Sequence, residues 1–508
     1  MGVRVVWFKR DLRLHDHLPL AEAARAGPVL CLYVVEPALW AQPDASARQW
    51  GFVRESLRDL RRALAERDAR LQVVVGDVVA VLDRLHALQP IEALHAHEET
   101  GNGWTFGRDR AVARWCRAHG VAWREWPQNG VVRGLRERDG WQARRDAFMA
   151  APVAEPPPRW LNVDLPWNEP PPRDALAAVL TDADAPQRQR GGRTEGLLAL
   201  QRFLAEGGAD YRRGMSSPLT APDACSRLSP HLAWGNLSVR EVDQATQALL
   251  AAAPLDRAQR QGLQAFRSRL AWHCHFMQKL ESEPELEWRN LHRGYDGLRE
   301  DEWSDERFAA LVQGRTGWPL VDACVAMLRE TGWLNFRMRA MLVSVAAYPL
   351  WLHWRTVGHW LARQFVDYEP GIHWSQLQMQ SGTTGINTTR VYNPVKQARD
   401  QDPQGHFVRR WLPAMRAVPD AWLFEPWRMP AETQARCGVV VGRDLPMPVV
   451  DLDTALRGAK ARVHALRARP EVQAGEAAVV ERHASRAGRR EQPARRRSAA
   501  ERSQQELF

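Results

Sequence analysis

The first 126 residues alternate short apolar runs with stretches in which apolar positions recur every three or four residues. The five runs are VRVVWF (3–8), VLCLYVV (29–35), LQVVVG (71–76), IEALHAH (91–97) and VAWREW (121–126). Short β-branched runs predict buried strands, and the amphipathic stretches between them predict helices. Strands that alternate with helices predict a doubly wound parallel α/β domain over residues 1–130.

The pattern changes after the fifth run. Residues 131–194 are rich in proline, as in APVAEPPPRW and DLPWNEPPPRD, which predicts an extended linker. Between residues 195 and 445, helical periodicity dominates and strand patterns disappear, which predicts a second, all-α domain. No G-x-G-x-x-G motif follows the first run, so the fingerprint of a Rossmann dinucleotide site is absent.

Most of the positive charge lies near the C-terminus. The formal net charge is +10, and residues 455–508 contain thirteen Lys and Arg against six Asp and Glu, a net of +7. Only +3 is left for the first 454 residues, so any nucleic-acid site on the folded body has to be a local patch. We predict that residues 446–508 form a disordered basic tail, which either binds phosphates nonspecifically or is simply solvated.

Composition narrows the class of protein. With 508 residues, 45% apolar and 26% charged, the chain is long enough for two or more globular domains. The longest weakly charged run, residues 340–354, is too short to cross a bilayer, and the N-terminus lacks the apolar core of a signal peptide. These two features predict a cytoplasmic location. The six cysteines lie far apart without a C-x-x-C pair, so we predict no metal site.

Two features of composition bear on function. The chain has 23 Trp against six Tyr, and indole rings serve packing, base stacking or electron transfer. The segment from Asp367 to Pro403 is rich in Gly, Thr, Asn and Gln and has few apolar residues. Such a segment exposes many backbone and hydroxyl groups that a packed core does not need.

Four motifs resemble the photolyase/cryptochrome flavoprotein family, and a D-x-E at Asp367 adds to them. They are VVWFKRDLRLHDHLPLAEA (5–23), SRLSPHLAWGNLS (226–238), GWPLVDACVAMLRETGWLNFRMR (317–339) and YNPVKQARDQDPQGHFVRRWLP (392–413). The details are most similar to a divergent bacterial branch of the family. The resemblance implies an α/β domain followed by an all-α domain that binds flavin adenine dinucleotide (FAD).

The resemblance also implies which residues bind FAD. The pyrophosphate and ribityl chain of FAD need amides, hydroxyls and a cation, which CSRLS (225–229) offers at a helix start. Arg339 and Asp367 match an ion pair across the flavin ring, whereas Ser226 is alternatively an ordinary N-cap. The implied FAD-binding residues are Tyr211, Cys225, Ser226, Arg227, Leu228, Ser229, Arg337, Arg339, Asp367, Glu369 and His373.

His373 falls where well-studied members of the family have an Asn that faces flavin N5. A protonatable imidazole there would change which flavin redox state persists, so His373 is also a candidate catalytic residue. The alternative is that its ring only packs against the cavity wall. His273 and His275 are two residues apart on a predicted helix and therefore face apart, which argues against a metal pair.

The motif SRLAWHCHFMQKLE (268–281) is similar to the helix with which the family presents a Trp and a Glu to a pyrimidine dimer. Trp272 matches the Trp, but Arg269 replaces the Glu and cannot accept a hydrogen bond from a thymine N3–H. The family's second stacking Trp has no match. We predict that Arg269, Trp272 and Trp333 contact DNA, with Arg212 and Arg213 near flanking phosphates.

Members of the family reduce their flavin by moving electrons along three Trp toward the surface. Trp303 and Trp354 match the outermost and middle positions, which makes them candidate catalytic residues. The innermost position falls on Leu377 or Ser375, and neither side chain is redox active. The rings that remain to complete another chain are Trp333, Trp351 and Trp374.

The resemblance implies a light-driven deoxyribodipyrimidine photo-lyase. Excited, reduced flavin donates an electron to a cyclobutane pyrimidine dimer flipped out of UV-damaged DNA, the ring splits, and the electron returns. A cryptochrome-like blue-light photoreceptor is the alternative, favoured by Arg269 and by the missing second Trp. The sequence does not identify an antenna chromophore or a protein partner.

Overall fold

The computed structural model describes residues 2–165, 175–252, 254–386 and 390–484. Two of the predicted segments therefore lie partly outside the described residues, namely positions 166–174 of the proline-rich linker and positions 485–508 of the tail. Within the described ranges, a parallel sheet with its helices comes first in the chain, and a larger group of helices follows it.

Five parallel strands form the N-terminal sheet, as predicted. They are β1 (Val3–Phe8), β2 (Val29–Val35), β3 (Leu71–Val75), β4 (Ile91–His97) and β5 (Ala122–Trp126). Val5 of β1 lies opposite Leu30 of β2 and Leu94 of β4. The strand order β3-β2-β1-β4-β5 reverses its direction of winding between β1 and β4, which creates a crevice at the carboxyl edge.

Helices cover both faces of this sheet. They are α1 (Leu18–Ala26), α2 (Pro37–Trp40), α3 (Ala47–Ala65), α4 (Val78–Leu88) and α5 (Gly103–Ala118). Alternate side chains of β1 enter two cores, with Val6 and Phe8 on one side of the sheet and Val5 and Trp7 on the other. Because both faces are buried, the central strands β1 and β2 are nearly continuous apolar runs in the sequence, whereas the edge strand β5 is partly exposed and contains Arg124 and Glu125.

Helix α6 (Trp141–Ala150) lies within the segment predicted as an extended linker, so that prediction is wrong for these residues. Trp141 is 5% exposed and packs with the helices that follow, which explains why this part of the segment is ordered. Those helices are α7 (Arg193–Arg202), α8 (Tyr211–Gly214), α9 (Ala221–Ala224), α10 (Ser229–Ala233), α11 (Val239–Ala252), α12 (Arg257–Ser282), α13 (Asp305–Gln313), α14 (Pro319–Thr331), α15 (Phe336–Ala347), α16 (Trp354–Gln364), α17 (Pro370–Ser381), α18 (Pro394–Gln401), α19 (His406–Trp411) and α20 (Ala431–Cys437).

Helices α14 to α17 form the centre of the helical part. Trp318, Trp354 and Trp374 are each at most 2% exposed there, so packing uses some of the chain's many tryptophans. Among the helices of the described ranges, none has the length and apolar character that a membrane span requires.

Helices α12 and α17 pack closely against each other. A Cβ atom on Gly371 of α17 would lie 2.7 Å from the Cα of Met277 on α12, so only glycine permits this approach. Arg269 and Trp272 lie on α12 and His373 lies on α17. The contact therefore fixes the predicted DNA-binding residues relative to the predicted flavin-binding residues.

Polar contacts join the sheet to the helical part. Arg10, just after β1, stacks on Trp234 with its guanidinium carbon 4.2 Å from the ring centroid. The hydroxyl of Tyr368 donates to Asp44 Oδ2 at 2.6 Å. Because Tyr368 directly follows Asp367, this hydrogen bond ties the predicted flavin segment to the carboxyl edge of the sheet.

The prediction of a disordered tail is wrong for helices α21 (Leu452–Arg467) and α22 (Pro470–His483). Leu456, Ala459 and Val463 of α21 are buried against the C-terminal end of α15. These positions follow the helical spacing of three and four residues. The many Arg, Lys and Glu residues around them dominate the composition and hide this narrow apolar stripe.

Candidate functional site

The CSRLS segment forms a tight turn between α9 and α10. Arg227 has φ = 57°, a left-handed conformation that is strained for a residue with a Cβ. Gln189 holds this conformation, because its side-chain nitrogen donates to the Arg227 carbonyl at 2.9 Å and its oxygen accepts from Arg227 Nε at 3.1 Å. Strain that is maintained in this way is typical of ligand-binding turns.

Ser226 is not the N-cap of the helix that follows. Its hydroxyl accepts from the backbone N–H of Leu228 at 3.4 Å, within the turn. Helix α10 begins at Ser229, has Leu228 at its N-cap position and is only five residues long. A helix this short adds little dipole, so the turn offers hydrogen-bonding groups rather than a helix terminus.

Three guanidinium groups surround Cys225. Burial raises the pKa of its thiol to about 12, while Arg227, Arg339 and Arg269 all act to lower it. Among the described residues, Asp367 is the carboxylate that forms an ion pair with one of them. The region therefore has an excess of positive charge, which is what the pyrophosphate of a dinucleotide requires.

Arg339 and Asp367 form the ion pair that the sequence predicts. Arg339 Nη2 lies 2.7 Å from Asp367 Oδ2, and Arg339 Nε donates to the carbonyl of Leu334 at 2.7 Å. The Asp367 side chain is 2% exposed, whereas that of Arg339 is 26% exposed. The guanidinium also lies over the ring of Phe365, 4.0 Å from its centroid, so its position is fixed from two sides.

Several polar atoms near this pair are buried without a hydrogen-bond partner. In the described part of the chain they include Asp367 Oδ1, Asn335 Oδ1 and Arg337 Nε. Folded proteins rarely leave such atoms unsatisfied, because each costs about 1–3 kcal/mol. Donors and acceptors that lack a protein partner beside excess positive charge fit a polar, anionic cofactor such as FAD.

A cavity of about 830 Å³ borders the turn on its other side. Cys225, Ser226 and Arg227 form one wall, and residues of α7, α8, α9 and the segments between them form most of the other walls. This volume lies in the range of about 300–1,000 Å³ for ligand pockets. Arg339 and Asp367 are not among its lining residues, so the cavity gives access to the turn rather than to the ion pair.

Tyr211 lies at the base of the turn. It is 7% exposed and packs against Phe203 and Phe266, with ring centroids 5.6 and 5.8 Å away. Burial raises the pKa of its hydroxyl, although the guanidinium of Arg269 acts against this shift. The hydroxyl therefore stays protonated, and Tyr211 packs between the predicted FAD-binding turn and helix α12, which carries the predicted DNA contacts.

His373 is held as a neutral ring. Its Nε2 lies 2.9 Å from the carbonyl oxygen of Gly358, which can only accept, so Nε2 carries the proton. Burial lowers the pKa of the imidazole to about 3. The structure therefore corrects the prediction of a protonatable His373, because the ring offers an acceptor at Nδ1 rather than a mobile proton.

Glu369 is the titratable group of this region whose pKa lies nearest to 7. Burial raises the pKa of its carboxyl to about 7, although Arg10, at 3.9 Å, acts against this shift. It lines a cavity of about 30 Å³ together with His273, whose two ring nitrogens are buried without a partner in the described structure. That volume suffices for a water molecule.

Trp272 is the exposed aromatic residue of α12. Its side chain is 39% exposed, and the guanidinium of Arg269 lies over its ring at 4.8 Å from the centroid. Trp333, in contrast, is 5% exposed and lies beneath Arg227, whose guanidinium carbon is 3.8 Å from the ring centroid. The prediction that Trp333 contacts DNA is therefore corrected, because the ring is buried beneath Arg227 of the CSRLS turn.

Trp374 is in direct ring contact with Trp354. Their centroids are 5.9 Å apart at 74°, an edge-to-face contact. Trp374 follows His373 directly, and the two ring centroids are 5.0 Å apart. The Trp374–Trp354 pair therefore begins next to His373, which is predicted to face the flavin. His359 lies 5.1 Å from Trp374, and burial lowers its pKa, so the imidazoles beside the pair are neutral at pH 7.

Trp351 and Trp333, the other two candidates for the third ring of the predicted electron relay, are unfavourable places for the positive charge of an oxidised indole. Trp351 lies between the guanidiniums of Arg299 and Arg462, at 4.7 and 4.8 Å from its ring. At an effective dielectric constant of about 20, one such charge raises the energy of an oxidised ring by about 3–4 kcal/mol. Trp333 has Arg227 at 3.8 Å. Trp374 therefore fits the innermost position best.

Trp303 lies near the protein surface. Its indole N–H donates to Asp305 Oδ1 at 2.8 Å, and its ring packs against Phe308 with centroids 5.0 Å apart. It borders the same hydrophobic core that contains Trp354. This placement is compatible with the outer position that the sequence predicts.

One buried group of metal-ligating side chains occurs in the described residues, and it is held by hydrogen bonds. Asp11 Oδ2 lies 3.0 Å from His17 Nε2 and 2.8 Å from His97 Nδ1. The N–H of Leu20 donates to His17 Nδ1 at 3.1 Å, so the proton of that ring is on Nε2, facing Asp11. A metal at Nε2 would displace this proton and break the Leu20 hydrogen bond.

The crevice at the carboxyl edge of the sheet is nearly filled. A cavity of about 60 Å³ remains between side chains that include Trp7, Trp40 and Trp234. A chromophore of flavin size would require these side chains to move.

Comparison with known proteins gives the family. Sequence models of two protein families match: DNA photolyase over residues 4–136, and the FAD binding domain of DNA photolyase over residues 266–465. Cryptochrome DASH from Gloeobacter violaceus is 30% identical over 476 residues, which cover 88% of this chain and 93% of that protein. Deoxyribodipyrimidine photo-lyase from Agrobacterium fabrum is 28% identical over 478 residues, which cover 88% of this chain and 94% of that protein.

A solved structure agrees with these matches. The crystal structure of a bacterial class III photolyase from Agrobacterium tumefaciens has a TM-score of 0.79 at 26% identity, and the match covers 92% of this chain and 98% of that one. Fold and site together define a two-domain flavoprotein with FAD as its cofactor. The chain belongs to the photolyase/cryptochrome family.

Proposed function

We propose that the protein repairs cyclobutane pyrimidine dimers in UV-damaged DNA as a light-driven photo-lyase. The observation that carries this proposal is the exposure of Trp272, at 39%, on helix α12, which packs against the predicted FAD-binding turn. An exposed indole next to Arg269 offers a flipped-out base both stacking and a positive charge. The photo-lyase names of several relatives support the same reaction.

Bound, reduced FAD would supply the light-excited electron that splits the dimer. The protein's own residues would position the reactants. The Cys225–Ser229 turn with Arg227 would hold the pyrophosphate, and the Arg339–Asp367 ion pair would lie against the flavin ring. His373 would present Nδ1 as an acceptor without releasing a proton, since its pKa is about 3.

Replacement of Trp272 should weaken binding to damaged DNA. Stacking contributes about 1–3 kcal/mol per base, so Trp272→Ala is expected to lower affinity for dimer-containing DNA about ten- to a hundredfold while FAD content stays unchanged. Trp288→Ala is the matched control, because that tryptophan is similarly exposed, at 41%, but is not on α12. Binding titrations with damaged and undamaged duplexes measure the effect, and equal losses in both variants would contradict the assignment.

Arg269 should affect binding in a different way. Its guanidinium cannot accept from a base edge, so it would contact a phosphate or a carbonyl. Arg269→Ala is expected to weaken damaged and undamaged DNA together and to reduce the salt dependence of binding. Arg269→Lys keeps the charge but loses the planar stack on Trp272, and is expected to keep the salt dependence.

Loss of dimers from an irradiated oligonucleotide under blue light tests the proposed activity directly. The protein is first reduced with dithionite, so that the result does not depend on photoreduction. A photoreceptor without repair activity is the second candidate, favoured by Arg269 in the place of the family's Glu and by the relative named cryptochrome DASH. Absence of light-dependent dimer loss, with equal affinity for damaged and undamaged DNA, would select the photoreceptor.

A further inference from the structure

Phe336 is a large apolar residue that stays exposed beside the candidate flavin site. It is the first residue of α15 and is 46% exposed. Single exposed apolar side chains are common on protein surfaces, so exposure alone indicates no function. Arg339 lies three residues further along α15, on the same side of the helix, and forms the ion pair with Asp367. The exposed ring of Phe336 therefore lies at the end of the helix that presents Arg339 to the predicted flavin.

Hydrogen bonds hold the start of α15 beside the predicted phosphate contacts. Asn335, directly before Phe336, is buried. Its side-chain nitrogen donates to the backbone carbonyls of Met215 at 3.0 Å and Ser216 at 2.8 Å. These carbonyls lie two and three residues after Arg213, which we predict to lie near phosphates that flank the lesion. Phe336 is thus fixed next to the segment that carries this arginine.

Helix α8 and the segment after it join α15 to α12, the helix that carries Trp272. Arg212 Nη1 of α8 donates to Gln261 Oε1 of α12 at 3.1 Å. Tyr211 of α8 packs against Phe266 of α12, with ring centroids 5.8 Å apart. Helix α17 packs against both α12 and α15. The two helices are therefore held in a fixed relation to each other by α8 and by α17.

Guanidinium groups from both helices reach the same side chain. Arg269 of α12 and Arg339 of α15 both act to lower the pKa of the Cys225 thiol, against the effect of burial. Trp272 follows Arg269 by three residues, and Phe336 precedes Arg339 by three residues. Each exposed aromatic residue is therefore about one helical turn from a charge that reaches Cys225. The two rings border the same region of positive charge from different helices.

Helix α17 does not supply the second stacking ring that the family has there. That position falls on Leu377 or Met379, and neither side chain is aromatic. Leu377 is also buried in the core of the helical part, as is the ring of Trp374 on the same helix. A second ring over a flipped base would therefore have to come from another element, and α15 presents Phe336.

We propose that Phe336 is the second stacking surface for a base flipped out of damaged DNA, acting together with Trp272. This inference rests on the proposed function. Stacking uses the π-face that every base has, so a phenylalanine ring serves any pyrimidine. Arg213 would supply positive charge to the phosphates beside the flipped base. The chain would then hold the lesion with rings from α12 and α15 rather than from α12 and α17.

Binding of DNA in the dark to oxidised, FAD-loaded protein tests this assignment. The probes are a duplex with one cyclobutane thymine dimer and the same duplex without damage. Phe336→Ala is expected to lower affinity for the dimer duplex about tenfold or more and to leave affinity for undamaged DNA within about twofold. Leu198→Ala, on α7, removes another apolar side chain that is 55% exposed and is expected to change neither affinity.

Two further variants separate the aromatic ring from its apolar volume. Phe336→Tyr keeps a stacking ring and is expected to bind the dimer duplex within about twofold of the unmodified protein. Phe336→Leu keeps apolar volume without a ring and is expected to bind the dimer duplex as weakly as Phe336→Ala. Full affinity for the dimer duplex in either the Leu or the Ala variant would overturn the proposal.

The salt dependence of binding distinguishes stacking from a disturbed surface. A stacking ring releases no counterions, so Phe336→Ala should keep the slope of log affinity against log salt concentration. Arg213→Gln should reduce that slope for both duplexes. Equal losses for both duplexes in Phe336→Ala would overturn the proposal. If the unmodified protein binds both duplexes equally, the proposed function itself fails. If it discriminates and Phe336→Ala discriminates as well, only this inference fails.

Discussion

Asp367→Ala protein is expected to purify with little or no FAD. The substitution leaves Arg339 without its partner at 2.7 Å and removes an unsatisfied buried acceptor from the site. Because Arg339 is 26% exposed, the cost is about 1–3 kcal/mol rather than that of a fully buried ion pair. Separately, loss of a hydrogen bond between the Asp367 carboxylate and the cofactor, about 1.5–3 kcal/mol for a charged group, is expected to lower FAD affinity about ten- to a hundredfold, measured by flavin absorbance and by reconstitution titration.

A matched ion pair separates loss of the cofactor from loss of stability. Asp243 pairs with Arg267 at 3.0 Å, with side-chain exposures of 4% and 34% that resemble those of the Asp367 pair. Asp243→Ala is expected to lower the free energy of unfolding by a similar amount and to keep its FAD. If both variants lose FAD equally, Asp367 acts through stability alone.

Trp354→Phe and Trp374→Phe proteins are expected to bind FAD and to photoreduce it at least about a hundredfold more slowly. Phenylalanine keeps most of the volume but is much harder to oxidise, and an added barrier of about 3 kcal/mol already gives a hundredfold change. Absorbance changes under blue light with an external reductant measure the rate.

Trp351→Phe is the control for the relay. Trp351 is also buried, at 5% exposure, but two guanidiniums lie against its ring. Its replacement is expected to leave the photoreduction rate within about twofold of the unmodified protein. A slow Trp351 variant with a normal Trp374 variant would reassign the inner step of the relay.

The sequence predicts the sheet well because local pattern and burial agree there. The central strands β1 and β2 are buried along nearly their whole length, so their sequences are nearly continuous apolar runs. The prediction of a disordered tail is wrong for α21 and α22 because the high net charge of residues 455–508 hides the narrow apolar stripe of α21 at Leu456, Ala459 and Val463. Helix α6 was missed for a similar reason, since the surrounding prolines dominate the composition of the linker.

The candidate site was predicted in part. The motifs indicate the Arg339–Asp367 pair and the exposed Trp272, and the structure has both. Sequence alone could not choose Trp374 over Trp351 or Trp333, because that choice depends on which arginines lie over each ring. The role of Gln189 in holding Arg227 was also missed, since their contact joins residues 38 positions apart without a motif.

The two arginines that cover Trp351 also bear on photodamage. An oxidised tryptophan that is not reduced in time reacts irreversibly with oxygen and water, and strong light makes such events frequent. Because Arg299 and Arg462 disfavour a positive charge on Trp351, oxidation products should accumulate at Trp354 and Trp374 and spare Trp351. Peptide mass spectrometry after prolonged blue light would reveal this distribution. Oxidative damage in a chain with 23 tryptophans would then be confined mainly to Trp354 and Trp374, while Trp351, which packs beneath α21, stays chemically intact.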